Sequence, residues 1–245
     1  MKKIVATIEA RMNSSRLPGK VLKEINGKPM IEYLINRLKT IDSIDEIILA
    51  TTDSKSDDKL EKIALENSIL VYRGSEENVM SRVLFAAENF NADIIVETHG
   101  DNPLLDPQII DQAISMYLAN NLDYIGNSHI HSYPLGMDIQ VFSTKALRKS
   151  YDLTSDKLDR EHVTLHIRKN PKLFRSFNLI APQELRRPEI HLTVDEEEDF
   201  ELVSKIIQNF GKKNPNFSCL DIIDYLDTNN NLLKINKSIQ RKGDN

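Results

Sequence analysis

Residues 4–20 read Ile4-Val5-Ala6-Thr7-Ile8-Glu9-Ala10-Arg11-Met12-Asn13-Ser14-Ser15-Arg16-Leu17-Pro18-Gly19-Lys20. A short β-branched run, Ile4–Ile8, gives way to a polar loop, Arg11–Lys20, that holds three cations, two serines, Pro18 and Gly19. The run predicts a buried strand. Beyond the loop, Pro29 stands where a helix can start. Met30, Ile31, Leu34, Ile35 and Leu38 then recur at helical spacing. Further strands are expected over Glu46–Thr52, Ile69–Tyr72 and Asp93–Glu97, with a fifth starting at Asp123–Ile125. Helices are expected over Asp57–Glu66, Asn78–Asn89 and Pro107–Asn120. Strand and helix alternating at this cadence predict crossover units and a mostly parallel sheet. Continuous apolar strands such as Ile94-Ile95-Val96 predict a sheet covered on both faces. The fold class is therefore α/β.

After about residue 127 the pattern loosens. Strands are expected at Asp138–Phe142, Arg175–Leu179 and His191–Val194, and helices at Asp159–Lys169, Glu196–Asn209 and Leu220–Leu226. One domain over 1–227, with an excursion at about 128–190, is the simplest organisation. Residues 228–245 are polar and lysine-bearing, which predicts a flexible tail.

Composition excludes several classes. The 245 residues carry 32 basic and 37 acidic side chains, a net charge of −5, which argues against a nucleic-acid binder. The one cysteine, Cys219, rules out a disulfide scaffold and fits a cytoplasmic protein. No apolar run approaches the roughly 20 residues of a membrane span. Glu9 interrupts the first apolar stretch, against a signal peptide.

In open α/β sheets, ligands bind beyond the carboxyl ends of strands. The segments expected there are Arg11–Lys20, Thr52–Asp53, Arg73–Asn78 and His99–Asp101. The first has the mixture a triphosphate needs: Arg11 and Arg16 as forks, Lys20 as a point charge, Ser15 and backbone N–H groups between them. It has neither the Walker order nor the dinucleotide fingerprint. A solvated basic loop would have the same composition. Asp101 follows a buried strand, and Gly100 permits a close approach to the backbone. Asp195 ends the short run Leu192-Thr193-Val194, where a helix cap is the plainer role. Two such acids opposite a basic loop match the layout for Mg²⁺-assisted phosphoryl transfer. His162 and His166, four apart on an expected helix, would share a face without making a zinc site.

Ala10-Arg11-Met12, Ser15-Arg16-Leu17-Pro18-Gly19-Lys20, Arg73-Gly74-Ser75-Glu76, Gly100-Asp101, Pro103-Leu104-Leu105-Asp106-Pro107, Tyr133-Pro134, Asp159-Arg160-Glu161-His162 and Leu192-Thr193-Val194-Asp195 occur in that order. On these motifs the chain resembles the SpsF-type cytidylyltransferases of spore-coat polysaccharide biosynthesis. More distantly it is similar to the CMP-KDO and CMP-sialic acid synthetases. The resemblance implies a nucleotide-diphospho-sugar transferase fold, GT-A-like and Rossmann-like, a three-layer sandwich with a mostly parallel central sheet. It implies transfer of CMP from CTP to an acidic sugar or another phosphate, phosphonate or hydroxyl acceptor, with release of pyrophosphate. By motif position, Ala10, Arg11, Met12, Ser15, Arg16 and Lys20 would meet the triphosphate. Arg73, Gly74 and Ser75 would border the cytosine pocket, extended by Asn78 and Arg82. Asp101 and Asp195 would hold Mg²⁺, and Arg11, Lys20 and Asp101 would be catalytic. His99, Tyr133, Asp138, Glu161 and His162 would meet the acceptor, and the 128–190 half would carry a homodimer contact. Three departures stand out: Asn13 for a usual glycine, Glu9 for a usual glutamine, and Leu135 where an arginine is frequent. Rival readings are a nucleotidyltransferase using another nucleotide, a glycosyltransferase, and a non-catalytic nucleotide-binding module.

Overall fold

The computed structural model describes residues 2–211, 214 and 216–239. The first strand, β1 (Ile4–Glu9), runs down the middle of a seven-stranded sheet. It pairs in parallel with β4 (Glu46–Thr52) on one side and β6 (Ile94–His99) on the other. Beyond β4 lies β5 (Leu70–Gly74), also parallel. Between β1 and β4 the chain makes a two-strand ribbon of β2 (Glu24–Ile25) and β3 (Lys28–Pro29). It then forms α1 (Met30–Leu38), whose apolar positions are those read at helical spacing. Helix α2 (Asp58–Glu66) links β4 to β5, and α3 (Val79–Asn89) links β5 to β6.

The second half completes the sheet with one reversal. Helix α4 (Pro107–Ala119) leads to β7 (Tyr124–Gly126), and β8 (Gln140–Ser143) inserts antiparallel between β6 and β7. The edge strand β9 (Ser176–Asn178) is parallel to β7. The other helices are α5 (Thr144–Leu153), α6 (Lys157–Glu161), α7 (Leu165–Lys169), α8 (Glu197–Phe210) and α9 (Cys219–Thr228).

Two cores flank the sheet because strand side chains alternate. Ile4, Ala6, Ile8, Leu49, Ile94 and Val96 face a layer built with α1, α4, α8 and α9. Val5, Ile48 and Ile95 face a second layer built with α3, α5 and α7. The arrangement is the expected α/β sandwich with a mostly parallel sheet.

Three sequence expectations fail here. His191–Val194 is no strand; it contributes only an isolated bridge, His191 to Leu135. The helix read over Asp159–Lys169 is two short helices, α6 and α7, broken at residues 162–164. Residues 229–239 are no loose tail. Leu232, Leu233 and Ile235 pack on the main core, and buried Asn236 donates to His191 O and Asp199 Oδ1. Residues 240–245, the rest of that expected tail, lie outside the described residues.

Candidate active site

An open cleft of about 810 Å³ lies at the carboxyl ends of β1 and β6. The loop after β1 forms one wall. Gly19 has φ +70°, and its N–H donates to Met12 O at 2.9 Å, closing the loop on itself. A side chain is strained in that left-handed conformation, which explains glycine here. The turn delivers Lys20 to the first position of a 3-10 turn whose next residue, Val21, is buried in the core.

Lys20 is the centre of the site. Its Nζ donates to Asp101 Oδ2 at 2.7 Å, to Val194 O at 2.7 Å and to Asp195 Oδ1 at 3.0 Å. Burial works against its charge. Asp101 and Asp195, by charge and hydrogen bond, outweigh burial and raise its pKa above the usual lysine value. Arg16 Nη2 reaches Asp195 Oδ2 at 2.8 Å. The two acids therefore converge on one point, although only Asp101 follows a strand; Asp195 lies in irregular chain just before α8.

Asp195 is not a helix cap. The cap of α8 is Glu196, in a reciprocal box with Asp199, and Asp199 Oδ2 also accepts from Asp195 N. That leaves the Asp195 side chain free to face Lys20 and Arg16. Gly100 fits so closely that an added Cβ would lie 3.0 Å from Ala10 Cβ. The group that approaches it is β1 itself: Gly100 N donates to Glu9 O at 2.8 Å.

The remaining walls bring further expected residues together. Ala10, Arg11, Ser15, Asn78, Arg82, His99, Glu161 and His162 all line the cleft. Arg11 is half exposed and faces Glu76 at 3.4 Å. Asn78 caps α3 by accepting from Ser81 N. Arg82 is buried and donates to Ser75 O, and burial lowers its pKa despite the nearby charge of Glu9.

Six residues expected at the site do not line the cleft. Arg73 turns out of the cleft to Asp58 and Glu61, both at 2.7 Å, and donates to Thr52 O and Ser54 O. Gly74 and Ser75 are outside the lining; Ser75 instead accepts from Asn78 N. Met12 packs on the core, and its backbone N–H donates to Asp57 Oδ1. Tyr133 is buried in the main core, and Asp138 accepts from Gly136 N in its own turn. In each case a local or core partner outcompetes the cleft. The helix break also separates the histidines: His162 faces the cleft, while His166 Nδ1 lies 3.1 Å from buried Asp159.

The sequence reading missed Ser14, Glu76, Glu77, Lys157 and Arg160 as lining residues. Lys157 and Arg160 sit three apart on α6 beside Glu161, so helical spacing was their available signal.

Basic loop, paired acids and strand-end position define a nucleotide-handling α/β enzyme of the phosphoryl-transfer kind. The model of a family described as cytidylyltransferase matches residues 5–237, and the chain belongs to that family. The spore coat polysaccharide biosynthesis protein SpsF of Bacillus subtilis is 33% identical over 234 residues, covering 94% of this chain and 96% of that protein. A solved cytidylyltransferase from Leptospira borgpetersenii superposes with a TM-score of 0.91 at 31% identity, covering 98% of this chain and 100% of that one. A CMP:2-keto-3-deoxy-manno-octonic acid synthetase complexed with CTP shares the fold, with a TM-score of 0.64 at 20% identity over 85% of this chain and 99% of that one.

Proposed function

We propose that this cytidylyltransferase transfers CMP from CTP to an oxygen of a sugar-like acceptor in polysaccharide-related biosynthesis. The observation that carries the reading is the meeting of Lys20, Arg16, Asp101 and Asp195 at one point of the cleft. An acceptor oxygen attacks the α-phosphorus in line. The new O–P bond forms as the bond to the bridging oxygen breaks, and pyrophosphate leaves with the electron pair. Arg11, Arg16 and Lys20 stabilise the charge on that leaving group. The acceptor is an acidic sugar or another bearer of a phosphate, phosphonate or hydroxyl group, on the side lined by Glu161 and His162.

Mg²⁺ fits the donor set. Two carboxylates already converge on a cation, the Lys20 ammonium, and magnesium takes one or two carboxylates plus phosphate oxygens and water. Among the described residues, no group of three or more His, Cys, Asp or Glu could hold a metal alone. Asp101 and Asp195 would therefore hold it together with the nucleotide. When bound, it would neutralise charge on the α-phosphate. Among the described residues no helix is long and apolar enough to cross a membrane, and Cys219 is a buried free thiol. Both support a cytoplasmic enzyme. Exposed Phe177 on β9, with Ile130 and Ile180 nearby in the chain's excursion, supports a homodimer contact there.

The test is pyrophosphate release from CTP with a panel of acidic sugars, sugar phosphates and phosphonates, with and without a chelator. Release with one acceptor, lost on chelation, is expected. Thermal stabilisation by CTP should exceed that by UTP or GTP, because a ligand specific to the native state raises stability by mass action. Equal stabilisation by all three would overturn the choice of CTP.

A further inference from the structure

Two carboxyl groups that the transfer chemistry does not use lie at and behind the cleft wall: Glu9 lines the cleft, and Glu97 is buried behind it. Glu9 ends β1 and Glu97 lies on the adjacent parallel strand β6. The register sets Glu9 beside His99 and Glu97 beside Thr7, so all four side chains share one face of the sheet. Glu97 is 2% exposed and the Glu9 side chain 11%. Glu9 Oε2 points toward His99 Nδ1, 3.8 Å away, at the cleft. Its other oxygen, Oε1, is buried with no hydrogen-bond donor, and so is Glu97 Oε2. The Thr7 hydroxyl on the same face bonds to neither.

Two carboxylates on one face of neighbouring strands, one buried and one nearly so, each with an oxygen that has no donor, are costly to keep ionised together. A single proton between them removes both penalties at once. Such a pair does with a proton what a glutamine beside a glutamate does with an amide N–H. We propose that Glu97 is a positioning residue that shares one proton with Glu9 at the cleft wall. The wall then carries one negative charge when the nucleotide enters, and two once that proton is lost.

The surrounding charges fit this arrangement. Burial first, and then the neighbouring Glu9 carboxyl, push the Glu97 carboxyl well above the ordinary glutamate range, and Arg168 on α7 only partly offsets them. Arg82 on α3 interacts with the charge of Glu9, and Arg11, Asp57 and Glu76 also act on it. Gln140 on β8, in register with Glu97, is neutral and accepts from Tyr124 Oη. Opening the pair adds a charge beside the path of a polyanion, so CTP affinity falls as pH rises.

The inference rests on the nucleotide reading above, and one experiment separates the two. CTP binding with excess magnesium is measured by calorimetry from about pH 7 to about pH 9, above the usual histidine range. Wild type should lose affinity roughly tenfold over the titration of the pair. Glu97→Gln and Glu9→Gln each keep a donor between the groups, and each should bind CTP with no such alkaline loss. A flat wild-type profile, or the same loss in both variants, would overturn the proposal. In parallel, the infrared spectrum at about pH 8 should show the C=O stretch of one protonated carboxylic acid, absent in either variant. If CTP does not bind at all, the nucleotide reading fails and the infrared band alone decides the proton. If one variant does not fold, the other carries both measurements.

Discussion

Lys20 and Arg73 make a useful pair. Both are cations at the carboxyl end of the sheet, both meet two carboxylates, and both donate to backbone carbonyls. The partners differ in where they come from. Arg73 meets Asp58 and Glu61 from α2, the helix that joins its own strand to β4, and both acids are well exposed. Lys20 meets acids 81 and 175 residues away, on separate elements, and its side chain is only 9% exposed. The first cluster ties down one crossover. The second gathers three distant segments into a cleft, where their charges are available to a ligand. Ion pairing alone does not mark a site; long-range convergence in a concave, partly buried place does.

That comparison can be broken by substitution, beginning where the effect should be largest. Asp101→Asn should abolish pyrophosphate release from CTP, by about a thousandfold or more, while the circular dichroism spectrum and melting profile stay close to wild type. Substantial activity in a folded variant would remove the acid from the chemistry. Lys20→Ala should lower kcat/KM by about a hundredfold, because it takes one cation from the leaving group. It also leaves Asp101 and Asp195 facing each other without their shared cation, so added magnesium should raise the melting temperature of this variant more than that of wild type.

A smaller effect should come from Asp57, which links the two regions. Its Oδ1 accepts from Met12 N, and its Oδ2 from the hydroxyls of Thr51 and Thr52. Burial would raise its pKa, but these hydrogen bonds prevail and hold it below the usual aspartate value. The folded state therefore binds a proton less readily than the unfolded chain. Asp57 contributes stability above about pH 4 that is lost as pH falls through its depressed pKa. Asp57→Ala should cost about 2 kcal/mol in denaturant unfolding at neutral pH and flatten the acid limb of the stability profile. An unchanged acid limb would show that the carboxylate does not carry it.

Arg73→Ala should do least. Its carboxylate partners are solvent-screened, so the loss should be about 1 kcal/mol or less in chemical denaturation, with CTP affinity within about twofold of wild type. A large fall in CTP affinity would return Arg73 to the nucleotide pocket and erase the contrast with Lys20.

The fold was readable to the extent that its signals were local. Apolar runs and helical spacing located β1, β4, β5 and β6 and the helices between them to within a residue or two. The candidate cleft was legible in part: Arg16, Lys20, Asp101 and Asp195, singled out in the sequence, do meet in it, though only Asp101 sits just past the end of a sheet strand. The reading failed where a side chain had a nearer partner than the cleft. Nothing in Arg73-Gly74-Ser75 announces that Asp58 and Glu61 will capture the guanidinium. Tyr133 sits in a motif but fills the core. The break after Glu161 sends His162 and His166 different ways, although their spacing suits one helix face. The polar segment after Thr228 looked loose because its anchor, Asn236 to Asp199 and His191, depends on residues 37 and 45 positions earlier.

The amino-acid sequence by itself determined the layer order, the mostly parallel sheet and the chemistry on offer: a cationic loop and two acids, Asp101 and Asp195. Those follow from periodicity and side-chain type, which act over a few residues. Only the tertiary structure decided which charges meet. It set Lys20 between Asp101 and Asp195, turned Arg73 away, and put Glu9 and Glu97 on one face of neighbouring strands. Electrostatic and hydrogen-bond energies depend on distance and burial, and neither is defined until the chain has folded back on itself.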